Sequence, residues 1–164
     1  MADKNIITLT EGEVMLARTI ASMRTGLNRI SNVGQPMHIA SRDDFTNDLL
    51  GVCGEICLAK RLNIYLDLSF NPRSGGSDFK LKNGQTADVK TTDREDGRLV
   101  VPIWKKKKPS EYYVLVTGEI PSSSQPAEFT VRGYATAEDI FSNEIDLGYG
   151  PCFGLPQSKL KKFK

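Results

Sequence analysis

The sequence predicts an α/β protein in which helices come first and a sheet follows. Two long segments with apolar residues at helical spacing occupy the chain up to about Leu62, and six strand-like runs separated by Gly, Pro, Asn and Ser clusters come after them. The 164 residues are 39% hydrophobic and 26% charged, the balance of an ordinary globular domain with a sizeable core. No apolar run approaches the roughly 18 to 20 residues needed to cross a bilayer. The opening "MADKNIITLT" lacks the charged-then-apolar layout of a secretory signal. With three cysteines, an odd count, the expectation is a soluble protein of a reduced cytoplasm with no membrane partner.

Thr10 and Glu13 form a capping-box pattern, and Leu16, Ile20, Met23, Leu27 and Ile30 recur at helical spacing behind it, so a helix is expected over 11–30. Arg18, Arg24 and Arg29 fall on its polar face. After the loop "SNVGQPMH", whose His38 suits a surface or capping role, Ser41 is a good N-cap, and Asp43 and Asp44 suit a first turn. The second helix runs to about Leu62 and buries Phe45, Leu49, Val52, Ile56 and Ala59. Cys53 and Cys57 share a face of it; without a second cysteine pair they read as packing residues rather than metal ligands.

Strands are expected at "IYLDLSF" (64–70), "SDFKLK" (77–82), "TADVKTT" (86–92), "LVVPIW" (99–104), "YYVLVTGEI" (112–120) and "EFTVRGYA" (128–135), in a mostly antiparallel sheet. A short helix should begin near Thr136, and the tail reads as a loop ending in a basic strand or helix.

Asn83-Gly84 marks a turn between the second and third of these strands, and loop length decides which side chains share a face. A two-residue loop would put Asp78 and Asp88 on opposite faces. A three-residue loop, Lys82-Asn83-Gly84, with Gly84 left-handed, instead pairs Phe79 with Ala87 and Asp78 with Asp88. Polarity then sorts, with Phe79, Leu81, Ala87 and Val89 on one face and Asp78, Lys80, Asp88 and Lys90 on the other. Directly opposed carboxylates repel unless a cation lies between them, and a hard divalent ion such as Mg²⁺ needs only one or two carboxylates besides water and phosphate oxygens. A solvated face on which Lys80 and Lys90 simply pair with the aspartates accounts for the hairpin equally well. Glu55 adds a third acid: in "LLGVCGEICLAKRL" it stands amid apolar residues, and Gly51 and Gly54 would let the helix approach the sheet closely.

A helical Glu55, an Asp78 opening one strand, and Asp88-Val89-Lys90 on the next resemble the PD-(D/E)xK, or restriction-endonuclease-like, nuclease superfamily. Ser77 stands where the motif name has proline, and "LVVPIW" follows where the simplest version has a helix. The resemblance covers roughly 41–135. It implies one nuclease-like domain over 1–164, with 1–40 a helical extension, 41–135 the core, and a central mixed sheet flanked by helices. It also implies a site in which Asp78, Asp88, the Val89 carbonyl and Glu55 hold Mg²⁺ or Mn²⁺ while Lys90 positions or activates water. The compact size is similar to phage or bacterial resolvase-like and repair-type nucleases.

The formal charge of +2 is too mild to indicate a nucleic-acid partner by itself. Local clusters carry that case: Lys105, Lys106, Lys107 and Lys108 beside Trp104, and Lys159, Lys161, Lys162 and Lys164 in the tail, could neutralise phosphates. Ser74 to Ser77 form a pliable loop suited to admitting backbone phosphate. The expected function is Mg²⁺-dependent DNA endonuclease, and cutting two strands gives a homodimer a reason to exist. The rival expectation is a catalytically silent nuclease-like module for DNA binding or phage assembly.

Overall fold

The computed structural model describes residues 3–33, 42–69 and 75–164. His38, Ser41 and Ser74 lie outside the described residues. Strand β1 (Ile6–Leu9) leads into helix α1 (Glu11–Ile30), and α2 (Asp44–Leu62) follows. Then come β2 (Phe79–Lys80), β3 (Thr86–Thr92), β4 (Leu99–Pro102), a 3₁₀ turn (Ile103–Lys107), β5 (Tyr112–Gly118) and β6 (Ala127–Thr136). The chain closes with α3 (Ala137–Phe141), β7 (Glu144–Asp146), β8 (Pro151–Leu155) and a last 3₁₀ turn (Gln157–Lys159).

The result is a mixed α/β fold. A five-stranded sheet has the order β1-β6-β5-β3-β2, with β3 and β5 parallel and the other neighbours antiparallel. A parallel pair needs a long crossover; here β4 and the 3₁₀ turn supply it. Helices α1 and α2 cover one face of the sheet, packing on Phe79, Ala87, Val89, Val114, Val116, Phe129 and Val131. The three-stranded sheet β4-β8-β7, together with α3, covers the other, over Tyr113, Leu115 and Ala135. Because β5 is buried on both faces, its centre "YVLVT" is a nearly continuous apolar run.

Local signals account for the element ends. Thr10 and Glu13 cap α1 reciprocally, at 3.3 and 2.7 Å, and Thr136 and Asp139 do the same for α3. Asp43, rather than Ser41, is the N-cap of α2, its carboxylate accepting from Thr46 N at 2.7 Å. The three-residue hairpin loop is present: Leu81 N donates to the Gln85 carbonyl at 2.7 Å, Gly84 has φ of +84°, and Phe79 pairs with Ala87.

Five expectations need correction. The buried face of α1 is Val14, Ala17, Ile20, Ala21, Thr25 and Asn28, whereas Leu16, Met23 and Ile30 are exposed. Small residues let α1 lie close to α2, which decided the face over the bulkier stripe. Positions 64–69 form no strand, although Ile64 and Leu66 alternate inward against the core, because no neighbouring strand supplies a ladder. "SDFKLK" is ladder-paired only at Phe79 and Lys80, and "LVVPIW" turns into the 3₁₀ segment after Pro102. Gly51 faces open space; Gly54 alone of the pair permits close approach, since a β-carbon there would stand 1.9 Å from Thr91 Oγ1.

Candidate active site

Strand β3 delivers Asp88 and Lys90 to the face opposite α2, because side chains alternate along a strand and Val89 and Thr91 point toward that helix. Asp88 pairs in register with Tyr113 of β5 and is 2% exposed. Two lysines compensate its charge. Lys90 Nζ lies 2.6 Å from Asp88 Oδ2, and Lys105 Nζ lies 3.6 Å from Oδ1. The Lys90 ammonium is thus the direct partner of the buried Oδ2.

Asp78 stands at the end of β2, where the ladder with β3 stops. Its Oδ2 accepts a hydrogen bond from Val89 N at 2.7 Å. A strand residue's N–H and C=O point to the same side, so the Val89 carbonyl is directed toward the Asp78 side as well. Asp78 opens on a groove of about 520 Å³ shared with Tyr65, Asp67, Ser77 and Lys80. Burial, then the like charges of Asp88 and Glu55, hold its carboxyl well above the usual carboxylate range, against the pull of Lys90 and the Val89 N–H. Burial pulls Lys90 down, but Asp88 and Asp78 outweigh it and keep the ammonium above its ordinary value.

Glu55 comes from the opposite side of the sheet and is held elsewhere. Arg24 of α1 grips it with two hydrogen bonds, Nη1 to Oε1 at 2.7 Å and Nη2 to Oε2 at 3.0 Å. Burial still raises the Glu55 carboxyl, with Arg24 opposing and Asp88 and Asp67 adding to the rise. Among the described residues no group of three or more carboxylate, histidine or cysteine side chains is assembled to hold a metal. The expected three-acid cluster is therefore two acids with Glu55 nearby. Asp78, Asp88 and the Val89 carbonyl are all-oxygen groups of the kind a hard divalent ion takes, but Lys90 occupies Asp88 Oδ2, so an ion there would have to displace it.

The basic run divides. Lys105 points inward, 2% exposed, and donates to the Gly75 and Gly76 carbonyls at 2.9 and 2.8 Å, so it is not presented to a phosphate as expected from sequence. Those bonds also pin a glycine segment whose composition suggests a pliable loop. Trp104 packs on Gly75, whose φ is +75° and where a β-carbon would stand 2.8 Å from the indole. Lys106, Lys107 and Lys108 are exposed on the same turn. The tail lysines are partly committed: Lys161 pairs with Asp139 at 2.6 Å, and Lys162 donates to the Arg132 carbonyl at 2.7 Å.

Arg24, Tyr113 and Ser110 are site neighbours that the sequence does not reveal, and Lys105, expected at a phosphate, is a buried partner of Asp88 instead. Ser110 N donates to Tyr113 Oη at 3.0 Å, and the Ser110 and Ser77 hydroxyls meet at 2.5 Å, tying the segment before Asp78 to β5. The cysteine expectation fits the geometry: Cys53 and Cys57 are buried, and burial pushes both thiols up to about 12. No helix of the described residues is long and apolar enough to cross a membrane. No family model matches the chain, and no curated protein or solved structure matches it either.

Proposed function

We propose that the chain is a Mg²⁺- or Mn²⁺-dependent DNA endonuclease with a restriction-endonuclease-like core. The observation that carries this reading is the mutual electrostatic influence of Asp78, Asp88 and Lys90 at the end of the β2–β3 ladder, with Asp78 alone of the three lining the groove. Two mutually repelling buried carboxylates, even with Lys90 and Lys105 beside Asp88, are costly for a fold and useful for phosphodiester hydrolysis.

Asp78, Asp88 and the Val89 carbonyl would hold the ion, which when bound supplies Lewis acidity at the phosphate and a more acidic bound water. Lys90 is kept charged by its two aspartates, so it acts as a donor to the attacking oxygen or to a phosphate oxygen, and not as a general base. The groove beside Asp78 admits the backbone, while exposed Lys106, Lys107 and Lys108 hold phosphates and Trp104 offers an apolar face. Lys105 fixes Gly75 and Gly76 and thereby the approach to Asp78.

A second reading has its own support. Glu55 is neutralised by Arg24 and Asp88 by two lysines, which is also what a catalytically silent DNA-binding or assembly module would carry. Incubating the purified chain with linear, nicked, branched and single-stranded DNA in Mg²⁺, Mn²⁺ or EDTA separates the two. Cleavage that needs the ion supports the nuclease; salt-dependent binding without cleavage supports the silent module.

A further inference from the structure

We propose that the outward face of α1 is a self-association surface on which a second copy of this chain docks its own α1 antiparallel. At 3.6 residues per turn, Met15, Leu16, Thr19, Ser22, Met23 and Ile30 face away from the body of the protein. The four large apolar side chains among them are 54%, 41%, 45% and 83% exposed in that order. A surface helix ordinarily turns charge toward water and apolar residues inward. Here the outward stripe carries no charge along about 30 Å of helix. The charges of α1 are spent on the chain itself: Glu13 on Lys60, Arg18 on the Pro121 carbonyl, and Arg24 on Glu55.

Two exposed charges at the ends of the helix point to the occupant. Glu11 and Arg29 are 18 positions apart, five full turns, so they lie on the same flank of the stripe at opposite ends. In an antiparallel pair related by a twofold axis near Ile20, Glu11 of each copy meets Arg29 of the other, giving two ion pairs. A parallel pair would set Glu11 level with Glu11 and Arg29 level with Arg29 on opposite flanks, and no Glu11–Arg29 pair would form. Antiparallel packing also opposes the helix dipoles favourably. The existing contact of Arg29, 4.0 Å from Asp44 with both side chains about half exposed, is cheap to release. Gly26 lies on the stripe with nothing among the described residues within 4 Å of a β-carbon built there, which leaves a hollow for a large side chain of the facing helix.

One helix face supplies less than the roughly 800 Å² per partner of a standard stable interface, so the dimer is weak and concentration-dependent, in the micromolar range. The inference needs neither metal nor DNA. Sedimentation equilibrium of the full chain up to about 200 µM should show a rising dimer fraction. Met23→Glu, with unchanged circular dichroism, should be monomeric throughout. Glu11→Arg and Arg29→Glu should each weaken association about tenfold, and an equimolar mixture of the two should recover it, because each antiparallel contact then pairs opposite charges. A wild-type chain monomeric over the whole range, or a dimer indifferent to Met23→Glu, overturns the proposal. Failure of the mixture to recover association overturns the antiparallel arrangement.

Discussion

Lys105 and Asp88 face each other in the interior, Nζ 3.6 Å from Oδ1, with side chains 2% and 3% exposed. The contact joins the basic turn to the candidate catalytic strand, and it gives Asp88 a part in the fold beside its proposed part in metal binding.

That double role separates the two aspartates. Asp88→Asn leaves Lys105 without its counter-charge and Lys90 with Asp78 alone, and should cost about 3 kcal/mol in EDTA, the scale of a broken buried pair. Asp78→Asn removes a repelled carboxylate and should leave stability equal or raise it by roughly 0.2 to 1 kcal/mol. The sign follows from linkage. Asp78 has a raised folded value, so its penalty is absent below about pH 3.9, where the unfolded carboxyl is protonated too. The penalty grows as pH rises toward the folded value, and the advantage of Asp78→Asn should grow with it. Urea unfolding at pH 5 and pH 8 measures both effects.

Arg24→Met leaves Glu55 buried and unpaired, and should cost about 3 kcal/mol, the low end for a broken buried pair because Arg24 is 23% exposed. Arg24→Met combined with Glu55→Leu should recover much of this. Equal losses in the single and double variants would show that Arg24 acts through something other than Glu55.

For DNA binding, changing Lys106, Lys107 and Lys108 to alanine should weaken unrelated sequences alike. It should also flatten the slope of log affinity against log salt by up to about 0.9 for each phosphate that is no longer neutralised. Lys105→Met should lower the melting temperature and leave that slope unchanged. Fluorescence anisotropy across a salt series distinguishes the two.

Gly54→Ala drives a β-carbon into Thr91 and should destabilise the protein by about 1 to 3 kcal/mol. Gly51→Ala, in open space one turn toward the N-terminus of α2, should stabilise it by up to about 1 kcal/mol. Thermal unfolding of the two variants beside the wild-type chain reads both signs.

The site is legible where it depends on neighbours in sequence. Asn83-Gly84 and the alternation from Phe79 to Val89 set the hairpin register, and Thr10, Glu13 and Thr136 mark the helix starts. What is not legible rests on distant partners. Lys105 looks like a solvated lysine until Gly75 and Gly76 present their carbonyls 30 and 29 positions away. Arg24 looks like surface charge until Glu55 arrives from 31 positions on. Leu16 and Met23 look buried because helical periodicity marks an apolar stripe without saying what covers it, and Ala17, Ala21 and Thr25 pack inward instead.

The most direct test of the site is a crystal soaked in Mn²⁺ and measured at the manganese absorption edge. The account predicts anomalous density between Asp78 and Asp88, with carboxylate oxygens about 2.1 Å from the ion, and with Lys90 displaced from Asp88 Oδ2. Absence of density there, with Lys90 still 2.6 Å from that oxygen at Mn²⁺ concentrations that support DNA cleavage, would contradict it.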